Sequence, residues 1–532
     1  MTRHDSSDAA KIDALELEAA GYTQAMPRQF SVWSLGALSF TLTCTWLGTG
    51  ASIGLGLVDS SGGGALWSIL LGGVMTLVIS AGMAELASCY PVAGAQYYWT
   101  FMVATDKYKP FASYINGWMT ILGWWLAIGS VSNFVASMIL EIASAWYTFE
   151  RKPWQLYLMY VGVIWLSVAM NIPGSRLLPY YSQLVFVVSV ITLFGTMIAL
   201  FVTARDSHAP ASFMFADTTS QTGWTNEGFT FMLATGNAVF GYLGSDCGAH
   251  LCEEIAQPSK NVPKVIMLPL VMGLLTAFPF AASLIYSIND LSAVLSAGMP
   301  LMEIYYQATG SRAAASVMLA FFAFCMFGCV VAVGTTASRT IWAVSRDDAL
   351  PFSAAWKAVH PTFNMPANSM LLTGTCVTLY GLIFLGSTTA FAAMVNATIL
   401  FLQTSCVMPQ AILLFRNRDE ILPERYFSLG KFGPFLNAIS VAWVVFLDVL
   451  FCFPVFRPVT PENMSYVSVV LVGLMTIVVI LWFTSKKGKF TGPRINMELM
   501  NARRRAALHE GLEGIEVEPQ VWKQGQESDE KV

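Results

Sequence analysis

Twelve apolar runs, each long enough to cross a bilayer and nearly free of charge, divide the chain between residues 31 and 484. They fall at roughly 31–58, 65–88, 111–140, 156–171, 179–203, 229–250, 265–287, 314–337, 368–386, 389–415, 433–456 and 466–484. A helix of about 20 such residues spans a hydrocarbon core about 30 Å thick while satisfying its own backbone hydrogen bonds, which lipid cannot do. The expected fold is therefore all-α and integral to a membrane, with 12 transmembrane helices. Composition agrees, since 12% of the 532 residues are charged, about half the share of a soluble domain.

The spans divide the chain into an N-terminal tail at 1–30, a core at 31–484 and a C-terminal tail at 485–532. The first 30 residues lack a basic stretch leading into a short apolar segment with a cleavage site, so no cleaved signal peptide is expected. With the N-terminus inside, 15 Lys and Arg flank the inner ends of the spans, among them Lys260, Lys264, Arg346, Arg418 and Arg425, against five in the outer loops. That asymmetry predicts both termini in the cytoplasm. The charged C-terminal tail, with Arg503-Arg504-Arg505, reads as solvated, with room for a short juxtamembrane helix. The net charge of −4 points to no particular partner, and no nucleic-acid partner is expected.

The nine cysteines lie mostly within spans and show neither a disulfide framework nor zinc spacing. One of five histidines, His250, is intramembrane. No metal site and no cofactor are expected. A membrane-embedded enzyme would need paired catalytic groups, and no cluster of intramembrane His, Asp or Cys has suitable spacing. Asn463-Met464-Ser465 fits a glycosylation sequon in an outer loop.

Two spans carry matched interruptions: Leu47-Gly48-Thr49-Gly50-Ala51-Ser52-Ile53-Gly54-Leu55-Gly56 in span 1, and Phe240 to Gly248 in span 6. Clustered Gly and Ser/Thr weaken a helix and free backbone groups that need partners in hydrocarbon, and a ligand cavity supplies them. Five spans per repeat is odd, which makes a second copy enter from the opposite face. Breaks in the first span of each half point to a midplane binding site. The competing reading is close helix packing through small residues.

Three motifs resemble the amino acid-polyamine-organocation superfamily of secondary transporters. They are Glu85-Leu86-Ala87-Ser88-Cys89-Tyr90-Pro91-Val92-Ala93-Gly94-Ala95, ending span 2 with Ala95 for the usual second glycine; Phe240-Gly241-Tyr242-Leu243-Gly244-Ser245-Asp246 with Glu253-Glu254 and Pro258 to Pro263; and Ala343-Val344-Ser345-Arg346-Asp347-Asp348-Ala349-Leu350-Pro351, with Asp348 where glycine is usual. Gln96-Tyr97-Tyr98-Trp99 and the opening Ser31-Val32-Trp33-Ser34-Leu35-Gly36 look most like the fungal amino acid/choline transporter group, which carries 4-aminobutyrate, choline and related compounds.

The resemblance implies a leucine-transporter-type fold of two inverted five-helix repeats (31–203 and 229–415) plus two peripheral helices (433–484), working by alternating access as a plasma-membrane permease. It also implies that the substrate carboxylate meets amides of an unwound span 1, here Thr49, Gly50, Ala51, Ser52 and Ile53. The amine would meet span 6 near Phe240, Tyr242 and Leu243. Some proton-coupled relatives place a lysine in span 5; that position is Ser189 here, and span 5 holds no lysine. Ser189 with Thr335, Thr336 and Ser338 is the alternative, a sodium-like site, set against hydroxyls bonding back to their own helices.

Asp246 is a carboxylate at mid-span, costly unless it faces a wet cavity or a cation. It is a candidate partner for a substrate ammonium, a candidate proton carrier, or a cap on freed amides. His250 is one helical turn on, either a relay or a packed histidine. Glu253 and Glu254 suit an inner gate with Lys260, Lys264 or Arg346, or equally a solvated charged helix end, and Glu85 suits a buried structural or gate carboxylate against span 6 or 8. Trp124, Trp125, Asn133, Asn396 and Gln403 are candidate cavity residues. The leading expectation is transport of an amino acid or small amine with proton or sodium coupling. The alternatives are a choline-like cation held by Asp246, Tyr242, Trp46 and Trp124, and a receptor that binds without transporting.

Overall fold

A computed structural model describes residues 13–495, apart from residues 15, 44, 149, 206, 423 and 424 and the side chains of 388–392. The Arg503-Arg504-Arg505 cluster and the juxtamembrane helix expected near it lie outside the described residues. The principal helices are α1 (Val32–Thr43), α2 (Thr45–Cys89), α3 (Gln96–Val103), α4 (Lys109–Trp146), α5 (Pro153–Asn171), α6 (Leu178–Thr203), α7 (Glu227–Val239), α8 (Pro258–Tyr286), α9 (Arg312–Arg346), α10 (Ala367–Gly386), α11 (Thr388–Leu414), α12 (Gly433–Leu450) and α13 (Val467–Leu481). Among the described residues, ten helices are long and apolar enough to cross a membrane.

Local sequence explains where these helices begin. Proline occupies the first turn of α4, α5, α6, α8 and α12, where its missing N–H would have had no helical acceptor. The Asn226 side chain accepts from the Phe229 N–H and caps α7. α2 leaves helical geometry at Ser60 and Ser61, where φ of Ser61 is 49°, and Ser61 Oγ donates to Asp217 Oδ2 at 2.8 Å. That break separates the first two apolar runs.

α2 packs against α7 and α8, and α4 against α9 and α11, which makes these helices the centre of the bundle. The outer helices turn apolar side chains outward. On α6, Ile191, Ile198 and Val202 are each more than 60% exposed, an arrangement that water penalises and hydrocarbon accepts. Together with ten long apolar helices, it marks a multi-pass membrane protein.

Three boundaries differ from expectation. α9 runs to Arg346 rather than ending near 337, because Arg339 and Arg346 pair with glutamates and so continue the helix without bare charge. The described part of the N-terminal tail is docked rather than loose, with Leu17, Ala20, Tyr22 and Met26 buried. The C-terminal stretch expected to be solvated from 485 instead packs Phe490 against Tyr97, Tyr114 and Trp482. Gly21 lies against the Arg494 backbone, so both described ends meet on one face of the bundle.

Candidate substrate site

The second expected break is present. After α7 the chain makes one 3₁₀ turn at Phe240–Tyr242, extends at Leu243 (φ −66°, ψ 155°) and turns through Gly244 at φ 84°. A four-residue helix, Cys247–His250, and a 3₁₀ turn, Cys252–Glu254, follow. Gly244 needs to be glycine for its backbone angle and because a Cβ would collide with Leu42. Outside regular helix, no backbone N–H among the described residues donates to the carbonyls of Gly241, Tyr242 or Leu243. The break thus takes backbone carbonyls out of the regular α-helical ladder in this span.

The first expected break is absent. Leu47 to Gly56 is α-helical, and the non-helical dihedrals of α2 fall at Ser60 and Ser61 instead. The amides of Thr49, Gly50, Ala51, Ser52 and Ile53 therefore lie within a helix in this conformation, and Ser52 Oγ bonds back to the Gly48 carbonyl at 2.8 Å. Packing explains the small residues: a Cβ on Gly48 would sit 2.5 Å from Gly241 Cα, and one on Gly50 would meet the rings of Phe322 and Phe280. α2 and the span-6 break touch backbone to backbone at Gly48 and Gly241.

A cavity lies beside the break, lined by Leu42, Thr43 and Gly48, by Trp124, Ala127 and Val131 of α4, by Phe240, Leu243 and Gly244, by Met326, Cys329 and Val333 of α9, and by Leu402 of α11. Phe134 sets its ring edge against Phe240 at 5.8 Å. The lining is apolar and aromatic, and the Trp124 indole N–H is buried without a partner. An unpartnered donor and the carbonyls of the break, against rings, suit a small solute with one cationic end and one acceptor.

Asp246 lies outside that lining. It is 1% exposed, and its Oδ2 accepts from Gln96 Nε2 and lies 3.2 Å from His250 Nε2. The aromatic cation box expected around it is not assembled. Tyr242 donates to the Ile69 carbonyl at 3.1 Å, and Trp46 donates to Ser189 Oγ at 2.9 Å, so of its rings Trp124 alone borders the cavity. The sodium-like grouping is not assembled either. Thr335 bonds Asn171 of α5, Thr336 bonds Cys247, and Ser338 bonds back to the Thr335 carbonyl. Of the remaining candidates, Trp125 meets Thr373, Gln403 is buried, and Asn133 and Asn396 are half-buried.

Residues 30–477 match the amino acid permease family. The chain belongs to that family, within the amino acid-polyamine-organocation superfamily. It is 33% identical to a choline transporter of Saccharomyces cerevisiae over 87% of this chain and 82% of the relative. It is 28% identical to an amino-acid permease of Arabidopsis thaliana over 91% and 96% of the two chains. It is also 27% identical to a 7-keto 8-aminopelargonic acid transporter of Saccharomyces cerevisiae, over 86% and 92%.

The face of this permease that carries both described ends is closed by buried ion pairs. Glu253 forms a two-pronged pair with Arg346 at 2.7 and 3.0 Å and also accepts from the Ala93 N–H. Of the three basic candidates Lys260, Lys264 and Arg346, Arg346 is the one paired with Glu253. Glu254 meets Arg339 at 2.9 Å, both fully buried. Glu85 is held by Arg418, Arg425 and the Leu429 N–H, in the segment after α11 rather than against span 6 or 8.

The N-terminal segment lies across these pairs. Gln29 donates to Glu254, Gln24 to the Glu253 carbonyl, and Tyr22 to Asp347 Oδ2 at 2.7 Å, while the Arg346 guanidinium stacks over the Tyr22 ring. Burial raises the Asp347 carboxyl above its ordinary range, against the opposing pull of the Tyr22 and Tyr97 hydroxyls and Arg346. Asn463 folds its amide onto its own loop, donating to the Pro458 carbonyl.

Sequence reasoning gave no role to Gln96, Asn171, Arg339 or the Asp59–Asn237 pair, in which Asn237 Nδ2 donates to buried Asp59 at 2.8 Å. Arg339 carried a usable signal, a lone arginine abutting an apolar run. Gln96 and Asn171 gave none, since an isolated amide at a span end is common.

Proposed function

We propose that this permease is a secondary transporter of a small amine-bearing solute, an amino acid such as 4-aminobutyrate or a related amine, working by alternating access with no covalent step. The observation that carries the reading is the helix break at Gly241–Leu243, which takes backbone carbonyls out of the regular helical ladder, beside an apolar cavity lined by Leu243 and by Trp124, whose indole N–H has no partner among the described residues. An ammonium group fits the carbonyls, and a carboxylate or hydroxyl fits the indole N–H. Phe240 and Leu243 line that site. Tyr242, turned toward Ile69, contributes its carbonyl. Thr49, Gly50, Ala51, Ser52 and Ile53 would reach a substrate through their amides if α2 opens at this turn during the cycle.

The ten long helices become 12 spans when the first is divided at Ser60 and Ser61 and the broken segment from Glu227 to Glu254 is counted as one. That supports the five-plus-five repeat with two peripheral helices. The excess of Lys and Arg on inner segments supports cytoplasmic termini, in accord with their meeting on one face. The ion pairs there then form the inner gate, and this conformation is closed to the cytoplasm. A plasma-membrane site fits nutrient uptake.

Two observations favour a choline-like cation as the second reading: the intrahelical amides of Thr49–Ile53, which leave a carboxylate few donors, and the yeast choline transporter relative. Uptake into proteoliposomes of neutral, cationic and 4-amino acids and of choline, under separate pH and sodium gradients, tests the proposal. Movement of one amine class is expected. Binding without movement of any solute would leave the receptor reading, and neither binding nor movement would contradict both.

A further inference from the structure

The contacts of His250 fix where its proton sits. Its Nδ1 lies 3.2 Å from the Ala93 carbonyl, an oxygen that only accepts, so Nδ1 carries a hydrogen. In the neutral ring Nε2 is then a lone pair. That lone pair lies 3.2 Å from Asp246 Oδ2, which in an ionised carboxylate is also only an acceptor. Two facing acceptors repel, and in a site where His250 is fully buried and Asp246 1% exposed water is not available to separate them. Both contacts are satisfied together when the pair holds one more proton, either on Nε2, giving an ion pair, or on the carboxyl, giving an O–H donor to the ring.

We infer that Asp246 and His250, braced by Gln96, form the binding site for a single coupling proton directly beneath the substrate cavity. The inference rests on the transport reading above and adds the coupling ion to it. Gln96 completes the site by donating to the same carboxylate oxygen from the start of α3. The side chains packed next to it are uncharged and hydrogen-bonded. Cys406 of α11 accepts from Gln96, Cys247 is bonded by Thr336 of α9, and Ser245 pairs with Ser80 of α2. The guanidinium of Arg339, whose charge reaches Cys247, is paired with Glu254.

Two contacts tie this proton to transport. The Trp124 ring stands edge-on to His250 with centroids 6.0 Å apart, while Trp124 and Gly244 also line the cavity. A solute that moves the break or the indole therefore moves the walls of the proton site. On the other side, Ala93 accepts from His250 through its carbonyl and donates through its N–H to Glu253, the partner of Arg346. Opening the inner gate pulls on Ala93, unseats the imidazole and admits water, to which the proton leaves. One proton enters with the solute from outside and one departs inside.

Proteoliposomes test this with radiolabelled 4-aminobutyrate and choline, in counterflow and under an imposed pH gradient, alkaline inside. For wild type with one proton per solute, each pH unit is expected to raise steady-state accumulation about tenfold, with proton entry seen by a trapped pH dye. His250→Gln and Asp246→Asn, each checked for folding by its melting temperature, are expected to lose the response to the pH gradient, the accumulation ratio falling from about ten to about one. Wild-type counterflow without proton entry would overturn the coupling site and spare the transport reading, with no variant needed. A His250→Gln protein that still accumulates tenfold per pH unit would overturn the site. Absence of wild-type counterflow with every solute would overturn both.

Discussion

Replacing Arg339 by methionine removes the guanidinium from a pair in which both side chains are fully buried and the Nε–Oε1 distance is 2.9 Å. Glu254 then keeps Gln29 Nε2, at 2.7 Å, as its side-chain donor. Breaking a buried pair by removing one partner costs about 3–5 kcal/mol, whereas replacing both partners by apolar groups is close to neutral. Arg339→Met is therefore expected to lower the melting temperature in detergent, on the order of 5 °C for a chain of this size. Adding Glu254→Leu should restore most of the loss. Thiols report the unfolding directly, since Cys89, Cys247, Cys252, Cys325, Cys329 and Cys406 are buried and react with a fluorogenic maleimide once exposed. A single variant that melts within 1 °C of wild type, or a double variant less stable than Arg339→Met alone, would refute the account of the pair.

Gly48→Ala sets a methyl 2.5 Å from Gly241 Cα, where backbone must give way; a destabilisation of about 1–3 kcal/mol is expected, with transport reduced at least tenfold, read by melting and uptake. Trp124→Phe removes the buried, unpartnered indole N–H of a cavity-lining residue and is expected to raise KM about three- to tenfold, read by initial-rate uptake; an unchanged KM would remove Trp124 from substrate contact. Asp347 has its pKa raised by burial, so its stabilising share is present below the ordinary carboxylate range and is lost as pH rises through the raised value. The melting temperature of Asp347→Asn relative to wild type should therefore climb as pH rises from the ordinary carboxylate range, about pH 4, and a fall on raising the pH would contradict the sign.

The apolar runs made the helices legible, because lipid leaves a spanning segment few alternatives to a helix. The span-6 break was legible for a local reason: Gly241, Gly244 and Gly248 sit within nine residues of one another, and Gly244 adopts a backbone angle few other residues tolerate. The same composition misled in span 1. Gly48 and Gly50 serve close approach to Gly241, Phe280 and Phe322, and a glycine used for packing cannot be told from one used for unwinding without knowing what faces it. Asp246 stood out as a mid-span charge, but its partner Gln96 lies 150 positions away in sequence, on a helix of eight residues. Glu253 and Glu254 had three basic candidates between them and Glu85 had none, and tertiary packing rather than spacing chose Arg346, Arg339 and the Arg418–Arg425 pair.

The central claim is that an amine sits in the α4, α9, α11 and span-6 cavity with its cationic end on the carbonyls of the break. A substrate-bound structure of the permease with a transported amine tests it most directly. The account predicts ligand density with its nitrogen within about 4 Å of the carbonyls of Gly241, Tyr242 or Leu243 and its other end beside Trp124 Nε1. Density elsewhere, for example against Asp59 and Asn237 with the cavity empty, would contradict it.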